Sequence, residues 1–222
     1  MGRAHAGMQM KLKYAVVGIL LIVALRALDS PFLKAALTKG TATASQARLA
    51  SGQPAPEVSE TQRYYAFGGA TVAAMLAELD RLGPGTPEGR FHAYTSWYVR
   101  WRYDYDERPG SCGLGPVKTT VTVDMQLPRW SRPSGAPYGL AEKWDAYVIA
   151  LRTHENGHRD IGVEAARAVA ARLATLPRQP TCAQLEALAD STGQGVLEEA
   201  RVREREYDRR TRHGASQGAL FR

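Results

Sequence analysis

The sequence predicts an α+β fold: a small antiparallel sheet packed against C-terminal helices, one of which carries an H-E-x-x-H motif. Three observations carry this. Thr95, Trp97, Val99, Trp101 and Tyr103 alternate with Ser96, Tyr98, Arg100, Arg102 and Asp104, the period of a half-buried strand. Val117, Val121, Val123, Met125 and Leu127 alternate with polar residues in the same way. From Gly139 onward the apolar spacing changes to three and four residues, which is helical. Strands come first and helices later, so the two are segregated along the chain.

The chain has 222 residues, 44% hydrophobic and 23% charged, enough for one sizeable core. Residues 1–28 read as an export signal or membrane anchor. Arg3, Lys11 and Lys13 precede "YAVVGILLIVAL", an apolar run whose helical length of about 18 Å falls short of a ~30 Å hydrocarbon core. The remainder of the chain is therefore expected outside the cytoplasm, periplasmic or secreted, with anchoring through the N-terminus as the alternative to cleavage. Residues 29–60, rich in Ala, Ser, Thr and Pro, read as a flexible linker. Residues 61–222 form the folded domain.

Within that domain "TQRYYAFGG" reads as a short strand and "TVAAMLAELDRLGPG" as a helix stopped at Gly83-Pro84. The two alternating strands follow as antiparallel neighbours, their aromatic stripe assigned to core packing. A long helix runs from Gly139 to about Leu176, and a last one from about Gln184 to Arg210. The formal charge is +7; four of those positive charges lie in residues 1–27, which hold no acid, so the rest carries +3. No basic patch interleaved with aromatics points to nucleic acid. Cys112 and Cys182 are the two cysteines, and an isolated pair in an exported chain reads as one disulfide.

The chemistry centres on "RTHENGHRD". His154 and His158 lie one helical turn apart and about 40° around the axis, so their imidazoles can converge on one ion. Glu155 can face a water molecule as a general base instead of binding the metal. The motif also falls on the face that Leu140, Trp144 and Leu151 mark as buried, where a His-Glu-His run is costly unless satisfied. A third ligand is harder to place. His5 belongs to the export segment, and His92 opens a strand. Glu164 points about 120° away from the pair, and Glu198 and Glu199 read as solvated charges.

Taken in order, "YTSWYVRWRYDY", "SCGLGPVKTTVTVDMQLPRW", "KWDAYVIALRTHENGHRDIGVEAA", the later Cys182 and a closing "EYDRRTRHGASQGALF" carry a family resemblance. The body of the chain resembles a bacterial family of predicted secreted zinc-dependent proteases, the domain of unknown function 922. The resemblance implies an exported location, a disulfide, and a site joining the H-E-x-x-H helix to the closing segment. On this sequence it makes His154 and His158 zinc ligands and Glu155 the base. His213 is preferred as third ligand, because imidazole suits zinc and Gly214 permits a tight turn; Asp208 is the alternative. Tyr207 is either an oxyanion donor or a packing residue at the helix end. The expected activity is that of a zinc metallopeptidase on peptide or protein substrates. The alternatives are an amidase acting on cell-wall peptides, and a non-catalytic envelope protein whose structural zinc is closed by His154, His158, His213 and Asp208.

Overall fold

In the computed structural model, which describes residues 54–87 and 89–222, the sheet is built around its longest strand. The elements in chain order are β1 (Glu57–Phe67), α1 (Val72–Leu82), β2 (Gly85–Thr86), β3 (Gly89–Arg90), β4 (Tyr94–Arg102), β5 (Tyr105–Arg108), β6 (Ser111–Leu114), β7 (Lys118–Trp130), α2 (Tyr138–Leu173) and α3 (Cys182–Thr211), followed by a 3₁₀ turn at Ala215–Gln217. The predicted export segment, and the linker up to residue 53, lie outside the described residues. Among the described residues no helix is long and apolar enough to cross a membrane.

The α+β class holds, with the two long helices C-terminal to the main sheet and the short α1 between β1 and β4. β4 and β7 are antiparallel, Val99 opposite Val121 and Trp97 opposite Val123, as their alternation predicts. The sheet as a whole is mixed, however, because β1 joins the other side of β7 in parallel, from Glu57 beside Thr120 to Phe67 beside Trp130. β1 also begins at Glu57, four residues inside the stretch read as linker. Its side chains are mostly exposed, so no apolar period marks its first half. Backbone pairing with β7 makes it a strand, and composition does not register that.

Val121, Val123, Met125 and Leu127, on the inward face of β7, are fully buried, as is Val117 just before the strand. They feed two apolar clusters. One gathers Phe67, Met75, Leu79, Met125 and Leu127 with Leu140, Trp144, Tyr147 and Leu151 of the first half of α2. The other joins Val99, Val117, Val121 and Val123 to Val163, Ala166, Val169 and Leu173 of its second half, and to Val196, Leu197 and Ala200 of α3. A helix of 36 residues, about 54 Å long, thus belongs to both clusters. Its H-E-x-x-H segment occupies the polar interval between them.

Glycines let the helices approach the aromatic stripe of β4. A Cβ on Gly162 would lie 2.6 Å from Trp97 Cγ, and one on Gly193 2.7 Å from Trp101 Cζ2. Thr181 caps α3 by accepting from the Gln184 amide at 3.2 Å. The next residue, Cys182, is bonded to Cys112 across 70 positions of sequence, as the isolated pair predicts. A reciprocal pair of backbone hydrogen bonds between Cys112 and Gln179, and the Arg178 guanidinium on Ser111 and Asp106, reinforce the same junction. The start of α3 is therefore tied to the β5–β6 hairpin. Converting Cys112 and Cys182 together to Ser is expected to lower the unfolding free energy by about 2–4 kcal/mol, read as an earlier urea midpoint. An unchanged midpoint would mean that the hairpin junction holds without the bond.

Candidate metal centre

The helical spacing of α2 does what its sequence predicts: the His154 and His158 Nε2 atoms approach to 3.3 Å. His154 and Glu155 are only 4% and 3% exposed, although neither residue type is buried without a partner at low cost. The partners come from α3. Asp208 Oδ1 lies 3.1 Å from His154 Nε2 and 3.0 Å from His158 Nε2. These three side chains form a group that can hold a metal ion. A tetrahedral ion with bonds of 2.0–2.2 Å sets its ligand atoms about 3.3–3.6 Å apart, so the observed spacings need to open by only a few tenths of an ångström. Two imidazole nitrogens and one carboxylate oxygen are also a donor set that suits zinc.

The electrostatics of the three are those of a pair of bases around an acid. Burial opposes charge on His158, but its contacts with Asp208 and Glu204, aided by the Asp208 and Glu155 charges, outweigh it and raise the pKa to about 10. For Asp208 burial acts upward, yet hydrogen bonds to His154 and His158 hold the carboxyl well below the usual range. Glu155 is raised, chiefly by burial; the hydrogen bond from Thr95 and the two histidines only partly offset this.

Surrounding groups hold each member in place. Thr95, itself buried on β4, donates through Oγ1 to Glu155 Oε2 at 2.7 Å. His154 Nδ1 faces Gln217 Oε1 at 3.0 Å. His158 Nδ1 faces Glu204 Oε1 at 3.5 Å, and the same Glu204 oxygen accepts from Trp97 Nε1 at 2.7 Å. Thr95 and Trp97 had entered the sequence reading only as strand-face residues, and Gln217 and Glu204 not at all. Glu204 had a signal: it lies four residues before Asp208, hence on the same helical face. Gln217 had none beyond the family-like closing segment.

Gln217 arrives through a reversal of the chain. Arg212 and His213, with φ of 52° and 50°, and Gly214, at 83°, all adopt left-handed conformations just after α3. Gly214 is required there twice over, since a Cβ would also press on His154 Cβ and Cγ at 3.1 Å. The tail then turns back across α2, where Phe221 packs on Trp144 and Tyr147.

Two expectations change. The third converging donor is Asp208, the alternative, and not His213. The His213 side chain is 62% exposed, lies tilted against Phe91, and reaches only to 3.6 Å from Asp208 Oδ1 through its Nδ1. The Gly214 turn that was expected to deliver it to the metal delivers Gln217 to His154 instead. Tyr207 is a packing residue: its ring stacks on His154 at 5.0 Å and 9°, and its hydroxyl donates to the His154 carbonyl. That hydroxyl is engaged inside the helix pair, where it also accepts from Gln217 Nε2 at 3.1 Å. Glu198 and Glu199 lie in exposed ion pairs with Arg201 and Arg172, as expected of solvated charges.

Tyr207 also explains the glycine inside the motif. A Cβ on Gly157 would collide with the Tyr207 hydroxyl and its ring carbon Cζ. Gly157→Ala is expected to destabilise the fold by about 1–3 kcal/mol through overpacking, despite the better helix propensity of alanine. Thermal melts of the variant check this, and a stabilised protein would contradict the packing described.

No curated protein and no solved structure matches the chain. A family model does, over residues 62–214, which spans both strands of the antiparallel pair, the H-E-x-x-H helix and all of α3. The chain thus belongs to the family described as "Bacterial protein of unknown function (DUF922)".

Proposed function

We propose that the chain is an exported zinc-dependent metallohydrolase that cuts amide bonds in peptide or protein substrates, cell-wall peptides among them. One observation carries the reading: His154 Nε2, His158 Nε2 and Asp208 Oδ1 converge at 3.0–3.3 Å beside a buried carboxylate, Glu155, that is not one of the three. Three donors, with His213 outside the group, favour a centre with an open position over a closed structural one. The disulfide supports an oxidising compartment, in line with the export signal read in residues 1–28.

When bound, zinc would polarise the scissile carbonyl and bring the pKa of water toward ~7. The chain's own residues do the rest. His154, His158 and Asp208 hold the ion. Thr95 fixes Glu155 through Oε2, which leaves the other carboxylate oxygen to accept a proton from the attacking water and pass it to the leaving amine. Burial raises the Glu155 pKa, which brings the carboxylate closer to the value a neutral-pH acid–base group needs. Tyr207 and Gln217 brace His154.

Glu155→Gln is expected to retain zinc and lose at least 10²-fold in kcat on a cleavable peptide, since the amide cannot take the proton. Wild-type activity in that variant would end the mechanism. Asp208→Ala should weaken zinc by more than the roughly 100-fold typical of outer partners, while His213→Ala leaves occupancy unchanged. The reverse pattern would restore His213 as ligand.

Zinc must also displace the proton that a His158 pKa of about 10 keeps in place at neutral pH. Zinc affinity is thus predicted to rise with pH, about tenfold per unit below that value, with about one proton released from His158. Calorimetry in buffers of differing ionisation enthalpy measures that proton. Affinity independent of pH between 6 and 8 would contradict the assignment.

A further inference from the structure

We infer that Glu204, anchored by Trp97, is a positioning residue that fixes the tautomer and ring orientation of His158 for the cation. The inference rests on the metal reading of the centre and goes beyond it to a residue pair that binds no ion.

Glu204 and Asp208 lie four residues apart on α3, so one helical face presents both carboxylates to one imidazole. They address opposite nitrogens: Asp208 lies 3.0 Å from His158 Nε2, Glu204 3.5 Å from its Nδ1. A neutral imidazole carries one N–H, and the nitrogen facing a carboxylate outside the centre is the one that keeps it. The proton then sits on Nδ1, and the Nε2 lone pair is left for the ion. At 3.5 Å the contact is long for a hydrogen bond, so the negative charge of Glu204 acts on the ring mainly through space.

That charge stays in position because Trp97 donates to the same Glu204 oxygen at 2.7 Å. Trp97 is held in turn by the missing Cβ of Gly162, whose backbone its indole overlies. The chain of contacts runs from strand β4 through α3 to α2. His154 differs, because its Nδ1 faces the neutral amide oxygen of Gln217. The two imidazoles therefore differ in what faces Nδ1, a carboxylate for His158 and a neutral amide for His154.

The test uses purified protein stripped of metal, with zinc affinity read by competition against a chromophoric chelator. Cobalt(II) visible spectra report the geometry of the centre, and urea unfolding of the metal-free protein reports the fold. Glu204→Gln is expected to weaken zinc 10- to 100-fold and to shift the cobalt bands. Trp97→Phe keeps an aromatic ring over Gly162, and should weaken zinc in the same direction. The double variant should lose no more than Glu204→Gln alone, because both changes break one chain of contacts. Should Glu204→Gln fail to fold, Trp97→Phe carries the test by itself. Zinc affinities within twofold of wild type in the folded variants would overturn the positioning role and leave the metal reading standing. A wild-type protein that takes up neither zinc nor cobalt would overturn the metal reading, and this inference with it.

Discussion

The meeting of one Asp208 carboxylate oxygen with two buried histidine nitrogens is the constraint on which the rest of this architecture depends. Four ionisable side chains from α2 and α3 lie in an interval between two apolar clusters. Left unpaired, each would cost several kcal/mol to keep out of water. Paired, they require α2 and α3 to be held at a set distance and rotation. The features that achieve this are spread across the fold: glycines and alanines at the helix and sheet contacts, the disulfide at the start of α3, and the left-handed turn at its end.

That turn ties the C-terminus to the centre. Two successive non-glycine residues with positive φ are uncommon and costly, and here they are followed at once by a glycine lying on His154. The conformation is paid back by what it delivers, Gln217 on His154 Nδ1 and Phe221 in the aromatic cluster around Trp144. The same aromatic cluster flanks the first half of α2, so the tail braces the H-E-x-x-H helix from outside while the sheet supports it from beneath. Asp208 stands at the last turn of α3, just before this reversal, where a shift of helix end would carry it away from both histidines.

Much of this was legible in the sequence because it is periodic. Alternation in residues 95–103 and 117–127 marks the antiparallel pair, and the four-residue step from His154 to His158 marks the face of α2 that meets Asp208. The parallel strand β1 was only half legible, since its early residues are exposed and its identity rests on backbone pairing with a distant strand. The third donor was open between Asp208 and His213 for a related reason. Both fall within six residues of each other at a helix end, and which of them faces inward depends on a left-handed turn that residue types alone do not specify. Gly214 signalled that a turn exists, but not which side chain it would return to the centre. Thr95 and Trp97 were read as residues of the strand face, yet their polar atoms reach the site because the strand face that packs on α2 also lies beneath its H-E-x-x-H segment.

The central claim is that His154, His158 and Asp208 together bind one ion. Anomalous diffraction at the zinc absorption edge, from crystals grown with zinc, tests it most directly. The account predicts a single strong peak about 2.0–2.2 Å from both histidine Nε2 atoms and from an Asp208 carboxylate oxygen, with Glu155 outside bonding distance. A peak bound by His213 in place of Asp208, or no peak between the two helices, would contradict it.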